Sequence, residues 1–161
     1  MEPRLNFQKM ATSAAAKAMY GLEQVVRNSG LDNKLIHLVK MRASQINGCA
    51  YCLDMHSKDA RAEGETEQRL YALNAWEETP FYSERERAAL EWTEALTLVS
   101  QTHVPDEVYE RVRKHFTEDE LLNLSLAVVA INGWNRLSIS FRAVPGTYQP
   151  AKHTTHGAAA Q

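Results

Sequence analysis

The length, composition and charge of the chain exclude several broad classes of protein. With 161 residues, of which 44% are hydrophobic and 24% charged, the sequence suits a single globular domain that needs no disulfide framework. The net charge of −2 gives no electrostatic reason to expect a nucleic acid or an anionic membrane as partner. We expect a cytoplasmic protein, because the longest aliphatic run is too short to span a bilayer and the N-terminus lacks the apolar region of a secretory signal.

The chain is predicted to be all-α. Apolar residues recur at helical spacing along most of its length, and no alternating pattern of useful length predicts a strand. Seven helices are predicted, over residues 12–28, 34–45, 50–63, 67–76, 84–100, 106–115 and 117–141. Residues suited to cap helix N-termini precede four of them: Asp32, Thr66, Ser83 and Thr117. We expect one helical domain over residues 1–144 and a tail over residues 145–161 that wraps a neighbour or stays mobile.

The last predicted helix is apolar on nearly every side. Such a helix is either central to the core or shared between subunits, and this one has more apolar surface than one small core covers. We therefore expect the protein to associate with copies of itself. Gly133, in the middle of this helix, costs stability unless another element packs closely against it.

Both cysteines of the chain lie in one C-x-x-C motif, formed by Cys49 and Cys52, and His56 follows four residues later. Gly48 ahead of the pair predicts the end of one helix, so the next helix begins at or beside the cysteines. On that helix the two thiols and the imidazole are spaced i, i+3 and i+7 and share one face. Near the positive end of a helix they form a candidate redox site. One thiolate attacks a peroxide or a disulfide, the other closes the Cys49–Cys52 disulfide, and His56 passes protons.

Zinc binding is the weaker interpretation of the motif. A structural zinc site needs four ligands and the chain has two cysteines, so His56 and either His37 or Glu63 would have to complete it. A chance pair is also less favoured, because the cysteines are not scattered through apolar surroundings. His37 lies on the predicted helix that precedes the motif. It either reaches the pocket around the cysteines or is an ordinary exposed or capping histidine. The remaining histidines fall in loops, at helix ends or in the tail: His103, His115, His153 and His156.

The run over residues 42–56, RASQINGCAYCLDMH, closely resembles the signature of AhpD-like alkyl hydroperoxidases, which belong to the carboxymuconolactone decarboxylase superfamily. A later run over residues 130–137, AINGWNRL, is similar to the C-terminal helix of that group. The resemblance extends from the first predicted helix to Arg142. It implies an all-helical fold that assembles into homo-oligomers, commonly trimers or hexamers. It also implies a thiol peroxidase or disulfide reductase activity that uses no metal and no organic cofactor.

The resemblance further implies a role for each residue of the motif. Cys52 corresponds to the peroxidatic thiol, which passes through a sulfenic acid, and Cys49 to the resolving thiol and proton donor. His56 corresponds to part of a proton relay. The best-known members of the family carry a glutamate twelve residues before the first cysteine, where this sequence has His37. Histidine also accepts and donates protons near neutral pH, so we include His37 in the expected site.

These observations predict a thiol peroxidase that reduces organic hydroperoxides and forms a Cys49–Cys52 disulfide in each turnover. The expected partners are a peroxide substrate and a thiol or dithiol electron donor, with no nucleic acid and no membrane. Two alternatives are a disulfide reductase or adaptor that serves a partner peroxiredoxin, and a helical assembly protein whose thiols are incidental.

Overall fold

The structure, a computed structural model, describes residues 2–6 and 11–150. All regular secondary structure in these parts of the chain is helical, which confirms the predicted all-α class. The α-helices are α1 (Ala14–Arg27), α2 (Asn33–Asn47), α3 (Ala50–Ala62), α4 (Glu67–Ala72), α5 (Glu84–Thr97), α6 (Val99–Thr102), α7 (Asp106–Arg113) and α8 (Glu118–Ser140). A 3-10 helix (Leu73–Glu78) follows α4. The structure thus has eight α-helices in its described residues, against seven predicted, because one predicted helix is divided into two; another predicted helix continues as the 3-10 helix.

The predicted helix over residues 67–76 changes from α to 3-10 geometry at Leu73. Within the 3-10 segment Ala75 has non-helical torsion angles (φ −122°, ψ 36°). The indole Nε1 of Trp76 donates a hydrogen bond to Glu94 Oε1 in α5 over 2.6 Å. Because this contact joins segments distant in sequence, the change of geometry could not be read from local helix propensity.

The predicted helix over residues 84–100 is also interrupted. Leu98 has torsion angles outside the helical range (φ −102°, ψ 30°) and separates α5 from α6. Near the interruption, the Thr102 hydroxyl donates to the carbonyl of Ala95 over 2.7 Å. A side-chain hydroxyl therefore supplies a hydrogen bond to a backbone carbonyl near the end of α5.

The capping residues predicted from sequence are present at helix N-termini. The side chains of all four accept a hydrogen bond from the first turn of their helix: Asp32, Thr66, Ser83 and Thr117. The caps of α5 and α8 are complete capping boxes, in which the glutamate three residues on also accepts from the backbone N–H of the capping residue. Each such cap contributes about 1 kcal/mol and determines where its helix begins.

Helix α2 lies between two clusters of buried side chains. Its residues Leu35 and Val39 belong to a cluster shared with α1, α5, α7 and α8. Its residues Leu38 and Met41 belong to a second cluster shared with α3, α4, the 3-10 helix and α5. Burying a leucine side chain contributes about 1.5–3 kcal/mol. Packing on both sides therefore fixes the direction of α2 and the position of its C-terminal end, where the cysteine motif begins.

The apolar helix α8 packs against α1, α2 and α5. Its residues Leu124 and Ile131 are fully buried. The close contact predicted at Gly133 is present, because a Cβ atom at that position would lie 2.8 Å from Cε of Met19 in α1. The glycine therefore allows α1 to approach the backbone of α8.

After α8 the chain turns back along α3. Residues 143–150 have no regular secondary structure, and the hydroxyl of Tyr148 donates a hydrogen bond to Asp59 Oδ1 over 2.7 Å. The rest of the predicted tail lies outside the described residues. Within the described parts of the chain, no helix combines the length and the apolar character needed to cross a membrane.

Candidate functional site

The cysteine motif lies at the corner between α2 and α3. Gly48 ends α2 in the left-handed region (φ 68°, ψ 34°), which is strained for residues that carry a Cβ. The backbone N–H of Cys49 donates to the carbonyl of Ser44 over 3.0 Å, and Cys49 is itself the N-cap residue of α3. The predicted helix–turn–helix is therefore confirmed, with the first thiol at the N-terminus of α3.

The two thiols touch each other and are almost fully buried. Both cysteines are free, with 1% of their surface exposed, and their Sγ atoms are 2.7 Å apart. The hydrogen bond with Cys52 lowers the pKa of Cys49 to about 7, although burial opposes this shift. The same contact, together with burial and the negative charge of Cys49, raises the pKa of Cys52 above its ordinary range. Near neutral pH the pair therefore tends to hold one proton, on Cys52, and one negative charge, on Cys49.

A network of amides and hydroxyls lies beside the thiols. Asn135 in α8 is fully buried, its Nδ2 donates to Ser44 Oγ over 3.0 Å, and its Oδ1 accepts from Asn47 Nδ2 over 2.8 Å. Ser138 Oγ lies 3.8 Å from Cys52 Sγ. Hydrogen bonds from the side chains of Asn135 and Ser138 lower the pKa of both cysteines. Helix α8 thus supplies polar groups that favour a thiolate at this corner.

His56 lies on the same face of α3 as Cys52, one turn further on. Its side chain is 8% exposed, and its Nδ1 has no hydrogen-bond partner among the described residues. The carboxylate oxygen Oδ2 of Asp59 lies 3.9 Å from this nitrogen. Burial, and then the positive charges of Lys40 and His37, lower the pKa of His56 well below its ordinary value. His56 is therefore neutral near pH 7, and the same shift makes it a weak base that holds a proton only transiently.

The structure brings His37 into the same region from α2. Its Nε2 lies 3.3 Å from Glu63 Oε1, and the centres of the His37 and His56 rings are 6.4 Å apart. Glu63 is the C-cap residue of α3, so the pair joins the start of α2 to the end of α3. This chain thus places a carboxylate from the C-terminal end of α3 beside His37 of α2.

A cavity of about 530 Å³ lies between α1, α2, α3 and α8 and reaches Cys52 and His56. Of the two thiols, only that of Cys52 lines it. One part of its wall is apolar or aromatic, and includes Tyr20, Ile36, Tyr51, Met55, Trp134 and Tyr148. Another part is charged or polar, and includes Glu23, His37, Lys40, Asp59 and Glu63. Its volume suits a small organic molecule.

The four site residues predicted from sequence are therefore close together in the structure. In contrast, His103 is in a loop and His115 at the end of α7, whereas His153 and His156 lie outside the described residues. Within residues 2–6 and 11–150, no group of three or more histidines, cysteines or carboxylates is arranged to hold a metal ion. Several residues of the cavity and of the network beside the thiols could not be predicted from the sequence: Glu23, Lys40, Ser44, Asp59, Asn135, Ser138 and Tyr148. For Asn135, an amide inside an otherwise apolar helix was the available signal.

A family profile matches the part of the chain that contains the motif. The profile of the carboxymuconolactone decarboxylase family matches residues 13–95, just over half of the chain, which include His37, Cys49, Cys52 and His56. The uncharacterized protein YdfG of Bacillus subtilis (strain 168) is 46% identical over 140 residues, which cover 87% of this chain and 95% of YdfG.

Solved structures agree with this relationship. A crystal structure of a protein of unknown function from Agrobacterium tumefaciens, suggested to be the antioxidant defence protein AhpD, has a TM-score of 0.86 and 43% sequence identity. The match covers 91% of this chain and 100% of that one. An uncharacterized peroxidase-related protein from Ralstonia eutropha JMP134, with an alkylhydroperoxidase AhpD core, has the same fold (TM-score 0.72, 18% identity, 81% of this chain and 70% of that chain). The chain therefore belongs to the carboxymuconolactone decarboxylase family, among its AhpD-like members.

Proposed function

We propose that the protein is a thiol peroxidase that reduces small organic hydroperoxides and forms a Cys49–Cys52 disulfide in each turnover. One observation carries the proposal: two thiols in contact, one of which lines a cavity that also holds a neutral histidine. Membership of the AhpD-like group supports a peroxide-related activity of this general kind. The resemblance implies a role for each thiol and for His56, and the geometry of the cavity supports those roles.

In the first step Cys52 is the attacking thiol, because its sulfur lines the cavity. The Cys52 sulfur attacks the terminal oxygen of the hydroperoxide while its proton passes to His56, directly or through a water molecule, and the O–O bond breaks. The alkoxide that leaves takes the proton back from His56 and becomes an alcohol. Cys52 is oxidised to a sulfenic acid, and the peroxide has received two electrons.

In the second step Cys49 resolves the sulfenic acid. Its sulfur is already in contact with that of Cys52, and in the reduced pair its pKa of about 7 makes it the more readily ionised thiol. The thiolate attacks the Cys52 sulfur, the S–O bond breaks, and the hydroxide that leaves takes up a proton to become water. A thiol or dithiol donor returns two electrons and two protons, and the disulfide is reduced to the starting pair.

The alternative of a reductase or adaptor for a partner peroxiredoxin has less structural support. Attack on the disulfide of another protein requires a sulfur that a partner's backbone can approach. Here each cysteine is 1% exposed, and Cys52 is reached through a cavity lined by side chains of four helices. The burial of the thiols favours a small substrate and a small thiol or dithiol electron donor over the disulfide of a protein.

The proposal is tested by peroxide turnover with dithiothreitol as the electron donor, in the wild type and in the variants Cys52→Ser and Cys49→Ser. We expect Cys52→Ser to fall to the background rate. Cys49→Ser should accumulate a sulfenic acid on Cys52, which dimedone traps and mass spectrometry locates. Full peroxidase activity in Cys52→Ser would contradict the proposal.

A further inference from the structure

We propose that the C-terminal strap, defined here as residues 145–150, forms the outer wall of the thiol cavity, and that Tyr148 limits the size of molecules that reach Cys52. That these molecules are peroxides rests on the proposed function. The size limit on access to Cys52 can be measured with chemical reagents alone, so the size limit and the peroxidase activity can be tested separately.

Three hydrogen bonds hold the strap against α3. The Gly146 N–H donates to Asp54 Oδ2 over 3.0 Å. Lys58 Nζ donates to the Tyr148 carbonyl over 3.1 Å and to Asp54 Oδ2 over 2.9 Å. The Tyr148 hydroxyl donates to Asp59 Oδ1 over 2.7 Å. Because Tyr148 is bonded through both its backbone and its hydroxyl, its ring is held in one position.

The position of that ring places it in the wall of the cavity. Tyr148 and Pro150 of the strap line the same cavity as Cys52 and His56. Asp59, which accepts from Tyr148, also lines the cavity and follows His56 by one turn of α3. Burial, followed by the hydrogen bond to Asp59, raises the pKa of Tyr148, as expected for a hydroxyl that remains a donor in this contact. Tyr148 therefore forms part of the cavity wall beside Asp59, from outside the helical bundle.

The strap adds a boundary that the helices alone do not provide. Its residues have no regular secondary structure, and the two on either side of Tyr148, Thr147 and Gln149, are exposed. Only Tyr148 and Pro150 turn towards the cavity, so the size limit depends on very few side chains. Removing the Tyr148 ring should enlarge the cavity without removing any residue of the described core clusters.

Native-state alkylation tests this inference without any peroxidase assay. Iodoacetamide serves as the small reagent and N-(1-pyrenyl)maleimide as the bulky one, and peptide mass spectrometry measures modification of Cys52. Each rate is divided by the rate for the same reagent on the protein unfolded in guanidinium. In the wild type we expect the bulky reagent to be strongly disfavoured. In Tyr148→Ala its normalised rate should rise several-fold, while that of iodoacetamide changes little.

Two further variants control the experiment. Thr147→Ala changes an exposed neighbour in the same strap and should behave like the wild type. Lys58 does not line the cavity, and Lys58→Met removes its hydrogen bond to the Tyr148 carbonyl. If the strap is the barrier, this variant should also admit the bulky reagent. This variant keeps the test valid should Tyr148→Ala fail to fold. An unchanged ratio of bulky to small reagent in a folded Tyr148→Ala or Lys58→Met protein would overturn the inference.

A peroxide series then separates the inference from the proposed function. The ratio of kcat/KM for cumene hydroperoxide to that for hydrogen peroxide should rise in Tyr148→Ala and stay constant in Thr147→Ala. If the wild type consumes no peroxide while the alkylation ratios change as expected, the proposed function fails and the strap inference stands. If turnover is present but both ratios are unchanged, the strap inference fails and the proposed function stands.

Discussion

At the scale of single residues, Cys49 and Cys52 hold their protons unequally across a sulfur–sulfur distance of 2.7 Å. The hydrogen bond between them stabilises the thiolate of Cys49 and keeps the proton on Cys52. The thiol that resolves is therefore the more readily ionised of the two, whereas the thiol that attacks loses its proton during the reaction. This division explains why a neutral histidine next to Cys52 is useful: it provides a base at the point where a proton has to leave.

The first prediction concerns the pH dependence of the thiolate. A thiolate is the deprotonated form, so its population rises as pH increases through about 7 and levels off above that value. In Cys52→Ala the largest cause of the lowered pKa is absent, and the pKa of Cys49 should return towards the ordinary value of about 8.5. The thiolate absorbance at 240 nm, titrated in both proteins, measures the difference. Equal midpoints in the two proteins would contradict the assigned cause.

The second prediction concerns His37, which replaces the glutamate of the family's best-known members. Because His37 lies 3.3 Å from Glu63, His37→Glu would set two carboxylates against each other. We expect this variant to lose at least about 1 kcal/mol of stability at pH 7 through like-charge repulsion. Exchanging the two residues, in the double variant with Glu63→His, should recover most of that loss. Urea unfolding measures both, and a single variant as stable as the wild type would refute the importance of this pair.

At the scale of elements, the corner between α2 and α3 positions the whole site. The two core clusters fix α2 from both sides, and the left-handed glycine at its end reverses the chain within one residue. Helix α3 then carries Cys52 and His56 on the face that lines the cavity. Helix α8 completes the site with Asn135 and Ser138, whose side chains hydrogen-bond the sulfurs.

The third prediction tests the corner with two glycines in different conformations. Gly48→Ala places a Cβ in the left-handed region and should cost about 1–2 kcal/mol of unfolding free energy. It should also slow disulfide formation, because the turn sets the position of the thiols. Gly21→Ala is the matched control: this glycine lies inside α1 with open space around the position of its Cβ, so the change should stabilise by about 0.5–1 kcal/mol. Equal effects of the two changes on denaturant unfolding would show that the turn is not strained.

At the scale of the whole molecule, α8 is buried on one side and exposes large apolar side chains on the other. Leu122 and Val129, separated by two helical turns, are 61% and 55% exposed. A surface of this kind on a small domain is typical of an interface. Self-association therefore remains our prediction for the protein in solution.

The fourth prediction locates that interface. Light scattering should give a mass above that of the monomer for the wild type, and Val129→Glu should shift it towards the monomer. Tyr71→Glu, at an exposed apolar residue of α4, is the control and should leave the mass unchanged. A monomeric wild type, or an assembly equally sensitive to both changes, would argue against α8 as the contact surface.

The sequence alone was sufficient for those features that depend on neighbours along the chain. Three such features depend on contacts within a few residues and can therefore be predicted from local sequence patterns. They are the helix caps at Ser83 and Thr117, the turn at Gly48, and the common face of Cys52 and His56. For the same reason the all-α class and the helix–turn–helix could be predicted. The motif also predicted the region of the chain in which the structure places two touching thiols beside a cavity.

Only the tertiary structure decided which distant side chains join that site. Asn135 is about ninety residues from Ser44, and Tyr148 is as far from Asp59, so no periodic pattern connects them. The interruption at Ala75 and the pairing of His37 with Glu63 likewise depend on how helices pack rather than on local propensity. These contacts, together with burial, shift the pKa values of the site residues, because a pKa depends on the charges, hydrogen bonds and solvent around the group in the folded chain. The local pattern thus determined the presence of two thiols and a histidine on one face, and the packing of α2, α3, α8 and the strap determined their ionisation and their access.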